Sequence, residues 1–444
     1  MVGALEKLRR MSQSAPLHRP TGLVLDVVGL VIEIGGIRGA VGEALDIVSD
    51  DGSVLQAEVI GFRSGRLLAT PLGSLSGIRA GSRVIPSTRG GTIAVGDQLL
   101  GRVLNAFAEP IDGGPTFDFR DRYPLHAAPP DPFKRRPVEK AFSTGIRVLD
   151  GLLSMGVGQR LGIFAGAGVG KSTLLGMICR SSEADVNVVG LVGERGRELN
   201  DFVRNGLGEE GLARSVVVTA TSDQPPLVRA RGAETATTIA EYFRDQGKSV
   251  LLVMDSVTRY AMALRETALA AGEPPATKGY PPSVFAALPR LLERAGTCNA
   301  DGVITALYTV FVEGDDLTDP IADAARGILD GHIVLSRTLA EKNHFPAVDV
   351  LQSVSRLAPD ICSQEHTRLA GRAREALGTY REAEDLIQVG AYAPGSDPSI
   401  DAACELMPNL EQFLRQRVEE RTSFGETLAR LHVLMKDFGS PGRS

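Results

Sequence analysis

An α/β fold is predicted for the centre of this chain, with a small β-barrel ahead of it and a helical segment behind. Three features carry that prediction. Short β-type runs separated by glycine fill residues 21–93, strand and helix signals alternate from about 140 to 360, and the texture turns helical after about 362. The expected divisions are an N-terminal helix over 1–20, a barrel over 21–93, an α/β domain over 94–361 and a helical domain over 362–444. A length of 444 residues agrees with two or three domains.

Composition narrows the class. With 43% hydrophobic and 23% charged residues, the chain has the make-up of a globular protein. No apolar run approaches the roughly 18 residues of a membrane span. Residues 1–10 carry charges where a secretory leader would be apolar, so a cytoplasmic location is expected. The net charge of −6 gives no reason to expect nucleic acid as a partner. Cys179, Cys298, Cys362 and Cys404 form no CxxC pair and the six histidines no HExxH spacing, so reduced thiols are expected, with neither a disulfide framework nor a transition-metal site.

Element by element, residues 1–18 read as a short amphipathic helix. Leu5, Leu8 and Met11 fall at helical spacing with Lys7, Arg9 and Arg10 between them, and Pro16 ends the pattern. Such a helix docks a partner, lies on an anionic membrane surface, or frays in solvent. The runs 23–28, 31–34, 44–48, 55–60, 67–70 and 83–85, with turns such as Asp50-Asp51-Gly52, fit a small barrel. That segment holds no catalytic constellation; it has one aromatic, Phe62, and few basic residues. Residues 123–137, rich in proline and charge, read as a linker. Candidate strands of the central block are 161–164, 186–192, 215–220, 249–254, 302–309 and 332–336, a pattern for a mostly parallel sheet with helices on both faces. Helices are expected over 367–388, 402–413 and 414–438, with a loop at 390–397.

The chemistry gathers where such strands end. After the apolar run 161–164 come Ala165, Gly166, Ala167, Gly168, Val169, Gly170, Lys171 and Ser172, and Thr173 then opens a helix-forming stretch. Strand, glycine-rich loop and helix in this order form a phosphate cradle: backbone N–H groups and the helix dipole converge on one anion. Lys171 would reach the β- and γ-phosphates of a nucleotide triphosphate, and Ser172 would hold Mg²⁺. Ala165 departs from the strict pattern, which begins with glycine. A second apolar run, 249–254, ends in Asp255, the Walker B position that orients the water shell of Mg²⁺.

Hydrolysis requires a group to polarise the attacking water. Glu194, just past the strand 186–192, is the first choice, with Glu198 as competitor and Arg195 or Arg197 holding it or contacting a neighbouring subunit. An arginine that neutralises charge on the γ-phosphate is the remaining requirement. Spacing alone does not single one out.

From about residue 96 onward the sequence resembles the catalytic subunits of rotary F/V-type ATPases, above all the ATPases of bacterial flagellar and type III secretion export. The resemblance rests on Phe142-Ser-Thr-Gly-Ile-Arg-Val-Leu-Asp-Gly-Leu-Leu153, Gly158-Gln-Arg-Leu-Gly-Ile-Phe-Ala-Gly166, Gly193-Glu-Arg-Gly-Arg-Glu198, Met254-Asp-Ser-Val-Thr-Arg-Tyr-Ala261, Lys278-Gly-Tyr-Pro-Pro-Ser-Val-Phe285 and Asp330-Gly-His-Ile-Val-Leu-Ser-Arg337. It implies a RecA-like P-loop domain between the barrel and the helices, with ATP and Mg²⁺ as ligands. It also implies that Glu194 is catalytic, that Arg356 in Ser353-Val-Ser-Arg356 is a finger donated across a subunit interface, and that Tyr392 stacks on adenine. A chain carrying both Glu194 and Arg356 implies a homohexamer with a complete site at every interface.

Implied partners are a stator-like negative regulator at the N-terminal helix, a central stalk-like protein, export-gate membrane components and chaperone–cargo complexes. The implied place is the cytoplasmic side of an inner-membrane export apparatus. A β-type subunit of an ATP synthase and a hexameric nucleic-acid translocase are the alternatives. The synthase usually has Thr where Gly196 stands, and the translocase would need a basic, aromatic barrel. Overall likeness favours the flagellar over the virulence-associated system.

Overall fold

The computed structural model describes residues 20–87, 90–117, 119, 121–312, 314, 316 and 318–436. The helix expected over 1–18 and residues 437–438 lie outside them. Two units divide the chain, the first containing the barrel and the second the large sheet with its helices.

Six strands close the barrel: β1 (Gly22–Val28), β2 (Val31–Gly35), β3 (Ala44–Val48), β4 (Val54–Arg63), β5 (Arg66–Pro71) and β6 (Arg83–Pro86), in the order β1-β2-β5-β4-β3-β6. All pairings are antiparallel, with a register shift between Val59 and Gly61 where β4 bends. Period-two alternation turns Val24, Ile32, Ile34, Leu45, Ile47, Val59, Ala69 and Val84 into a shared core. Each expected run is a strand, extended by up to three residues at either end.

The second unit opens with β7 (Thr92–Val95), β8 (Val103–Leu104) and β9 (Asp121–Pro124), followed by β10 (Ala141–Phe142) and β11 (Met155–Gly156). β7 pairs with β9, and Leu125 is fully buried, so the predicted linker begins inside the folded unit. Its apolar anchors are single residues, too sparse to register as a periodic run.

The main sheet adds β12 (Arg160–Ala165), β13 (Val186–Val192), β14 (Ser215–Ala220), β15 (Ser249–Asp255), β16 (Val303–Phe311), β17 (Gly331–Leu335) and β18 (Val348–Ser355). Its order is β18-β17-β12-β16-β15-β13-β14-β8, parallel except for the edge pair β17/β18. Alternate side chains feed two cores. Leu161, Ile163, Val189, Leu191, Leu251, Val253 and Leu307 pack on one face, and Phe164, Val188, Leu252, Met254, Tyr308 and Val310 on the other. Burial on both faces is why these strands read as continuous apolar runs.

The first face also receives the helices Gln364–Gln388, Pro398–Leu414 and Phe424–Met435 through Leu369, Ala373, Leu410, Phe413, Leu431 and Met435. Here one expectation fails. The helix predicted over 414–438 starts only at Phe424, capped by Ser423 and Glu426 in a reciprocal box. Residues 415–423 are irregular because a buried cation claims them: Arg147 donates to the carbonyl oxygens of Phe413 and Arg415 and pairs with Glu420, and Gln416 Oε1 accepts from its backbone N–H at 2.8 Å. Cys179 and Cys298 are buried and all four cysteines are free.

Arg147→Ala leaves a carboxylate and two carbonyl groups without their donor. It is expected to lower the stability of the second unit by about 3 kcal/mol, read as an earlier midpoint in urea. An unchanged midpoint contradicts the role given to Arg147.

Candidate active site

β12 delivers the phosphate loop. Ala165 is its last residue, in register with Phe311 of β16 and Leu335 of β17 and 1% exposed. A residue inside a ladder needs no positive φ, which explains why alanine serves where the motif usually has glycine. Left-handed backbone is needed further on, at Gly168 (φ +77°) and Gly170 (φ +87°). The helix Lys171–Ser181 then begins with no side-chain cap, and Ser172 and Thr173 are exposed. Its first amides therefore stand open as donors beside the positive end of the dipole, the arrangement an anion fits.

Three strand ends bring the charged groups together. Asp255 closes β15, Glu194 stands two residues beyond β13, and Lys171 follows β12. Lys171 Nζ is hydrogen-bonded to Asp255 Oδ1 and lies 3.7 Å from Glu194 Oε1. Thr309 of β16, the strand between β12 and β15, donates to the same Asp255 oxygen at 2.6 Å. Gly193 turns the chain with φ +70°, and a Cβ there would come within 3.0 Å of Arg259, so only glycine lets the loop approach that side chain. The Glu194 carbonyl is fixed by Ser222 N at 3.1 Å.

Electrostatics follows from the crowding. Burial pushes the Glu194 carboxyl up to about 7, Lys171 opposes that rise, and the neighbouring Asp255 and Glu198 carboxyls add to it. Two acids of the three-strand cluster thus share one ammonium, and one of them is poised near neutrality.

The remaining sequence candidates fall elsewhere. Arg195 is exposed and pairs with Glu198 at 3.6 Å, so within its own chain it holds the competitor and not Glu194. Arg197 is exposed. Arg356 lies just past β18, exposed, with its guanidinium on Arg326 O at 3.2 Å; among the described residues it touches no member of the Lys171 cluster.

Tyr392 is engaged by its neighbours in sequence. Its hydroxyl is bonded to Asp397 O and Asp401 Oδ1, both at 3.0 Å, and it does not line the cavity beside the phosphate loop. That cavity, about 1770 Å³, is bounded by Gly168, Gly170, Thr173, Phe345, Phe413 and Gln416 among others. Phe345 and Phe413 are the aromatics there; Phe413 is buried, whereas Phe345 is 40% exposed, with its ring 3.3 Å from where a Gly170 side chain would be. Sequence reasoning missed it, and missed Arg259 as well, although Arg259 sits inside a quoted string. An isolated Phe-Pro step ahead of β18 has no spacing that marks it.

Among the described residues, no cluster of three His, Cys, Asp or Glu side chains is arranged to hold a metal alone, and no helix is long and apolar enough to cross a membrane. A cation here would draw on one hydroxyl, one carboxylate, phosphate and water, a donor set suited to Mg²⁺.

Comparison with known proteins agrees with this geometry. The nucleotide-binding domain of the ATP synthase alpha/beta family matches residues 145–355, and the beta-barrel domain of that family matches 24–87. The C-terminal domain of the type III secretion EscN ATPase matches 362–433. The flagellum-specific ATP synthase of Pseudomonas aeruginosa is 51% identical over 93% of both chains, and the type 3 secretion system ATPase of Xanthomonas euvesicatoria 48% identical over 97% of both.

This chain belongs to the flagellar and type III secretion ATPase family.

The assembled ATPase EscN from the type III secretion system of enteropathogenic E. coli superposes with a TM-score of 0.88 at 44% identity, covering 93% of this ATPase and 99% of EscN. EscN in complex with its central stalk EscO gives 0.86 at 43% identity, with the same coverage. The relatives named here belong to flagellar and secretion systems, which favours the export reading over the synthase-subunit and nucleic-acid translocase alternatives.

The Glu194 carboxyl is expected to take up its proton near pH 7 in the nucleotide-free ATPase. Infrared difference spectra should show a protonated-carboxyl band growing as pH falls through about 7 and missing in Glu194→Gln; a band confined to pH below about 5, the ordinary carboxyl range, contradicts the site as described.

Proposed function

We propose that this ATPase hydrolyses Mg·ATP at the interfaces of a ring of six identical copies, and that the cycle energises or primes the export of flagellar or type III secretion substrates. The observation that carries the reading is a divided site. Lys171, Asp255 and Glu194 meet inside one chain, while Arg356 is exposed, its guanidinium on the Arg326 carbonyl, and among the described residues it pairs with no carboxylate.

In this reading, Gly166 to Gly170 and the open amides of Lys171, Ser172 and Thr173 take the phosphate oxygens, and Lys171 exchanges Asp255 for the β- and γ-phosphates. Ser172 and Asp255 hold Mg²⁺, which when bound neutralises charge on the phosphate oxygens. Glu194, ionised, orients the attacking water. Because its carboxyl titrates near 7, turnover at subsaturating ATP falls on the acid side of that value. Arg356 of an adjoining copy supplies the positive charge that the γ-phosphate needs as the bond breaks, and Phe345 replaces Tyr392 as the ring against adenine.

The assembled state and the stalk complex of EscN support a homohexamer around a central stalk-like protein. A stator-like regulator at residues 1–18, export-gate components and chaperone–cargo complexes complete the set of partners, at the cytoplasmic face of the inner-membrane export apparatus.

Mixing two inactive variants tests the divided site. Glu194→Gln and Arg356→Ala are each expected to lose about 10³-fold or more in kcat. Mixed in equal amounts, they should recover activity at about a quarter of the interfaces, those pairing an intact Glu194 with an intact Arg356. A mixture as inactive as its parts overturns the proposal.

A further inference from the structure

β16 lies between β12 and β15, and its side chains alternate between the two cores. Tyr308 and Val310 enter one; Leu307 enters the other, and Thr309 shares the Leu307 face. Leu251 and Val253 of β15 point to that face, as does Ile163 of β12, the partner of Thr309 in register. Valine would suit such surroundings. A hydroxyl with no exposure is tolerated there only when it is hydrogen-bonded.

The bond it makes is specific. Thr309 Oγ1 lies 2.6 Å from Asp255 Oδ1 and 3.3 Å from Met254 O, and its single proton goes to the closer, charged oxygen. Lys171 Nζ donates to that same oxygen. Among the described residues, Asp255 Oδ2 receives no protein hydrogen bond. The two donors differ in what they can do next: Lys171 follows the phosphate loop on a flexible stem, whereas Thr309 is fixed in a central strand, in register with Ile163 of β12 and one residue past the last pair with β15.

We propose that Thr309 is a positioning residue for Asp255. Its hydroxyl keeps Oδ1 in place after Lys171 has left for the phosphates, so that the free Oδ2 remains the oxygen presented to the water shell of the ion. The proposal rests on the reading of the site as one for Mg·ATP. It separates two effects that a single aspartate variant merges: loss of the carboxylate and loss of its orientation.

The test is equilibrium binding of a fluorescent ADP analogue with and without Mg²⁺, together with steady-state ATPase rates, for the wild-type protein, Thr309→Val and Thr309→Ser. All three should bind the metal-free analogue equally. The gain in affinity on adding Mg²⁺ should be retained by Thr309→Ser and cut about ten-fold in Thr309→Val, with kcat falling in parallel and KM changing less. A Thr309→Val protein that keeps the wild-type magnesium gain, or a Thr309→Ser protein as impaired as Thr309→Val, overturns the proposal. Should Thr309→Val not fold, Thr309→Cys against Thr309→Ser makes the same comparison, exchanging a strong donor for a weak one of similar size. A wild-type protein indifferent to magnesium overturns the reading of the site and this proposal with it, whereas a wild-type gain shared by every variant overturns the proposal alone.

Discussion

One ammonium held between two carboxylates at the carboxyl ends of three neighbouring strand systems is the constraint on which the rest of the structure depends. Lys171, Asp255 and Glu194 are each at most about one-fifth exposed, so no member of the group is at ease without the others. The parallel sheet brings them together because β12, β15 and β13 all end on one edge. Glycine at 170 and at 193 then lets the two loops turn toward each other instead of away. Removing Lys171 would leave two acids facing each other in a partly desolvated space. Its presence opposes the rise that burial imposes on the Glu194 carboxyl, a rise to which the neighbouring Asp255 adds.

A site whose lysine is already held by its own carboxylates has to be reopened by its ligand. In the proposed function, triphosphate would bring negative charge to the open helix terminus and compete with Asp255 for the lysine, and the accompanying cation would compensate the freed carboxylate. Recognition is therefore an exchange of ionic partners and not the filling of an empty socket. The same logic accounts for the surface arginine. Among the described residues Arg356 touches no member of the cluster and rests on a carbonyl, and in the proposed ring it serves an adjoining copy. Under the proposed function, catalytic competence and assembly are one requirement, and hydrolysis reports on the ring.

Much of the architecture was legible in the sequence because it is periodic. Six barrel runs and six central runs repeat at strand spacing, and each is a strand in the structure. The phosphate loop, Asp255 and Glu194 were legible because each stands at the end of such a run. What escaped has no local trace. The irregular stretch before Phe424 is dictated by Arg147, more than 260 residues away, and a helical pattern around it gives no warning. Phe345 and Tyr392 are both aromatics in loops, and only the folded chain tells which ring faces the cavity. The sequence leaves open whether Arg195 or Arg197 holds Glu194 or meets a neighbouring subunit, and only the folded chain shows Arg195 paired with Glu198. Thr309 is hidden inside an apolar run, where a lone hydroxyl looks like an ordinary β-branched strand residue.

The most direct measurement is a cryo-electron microscopy structure of the assembled protein with Mg²⁺ and a non-hydrolysable ATP analogue. The account predicts that Lys171 Nζ has left Asp255 for the phosphate oxygens and that an Arg356 guanidinium reaches the γ-phosphate from the adjoining copy. Nucleotide bound with the Lys171–Asp255 pair intact, or Arg356 still seated on Arg326 of its own chain, would contradict it.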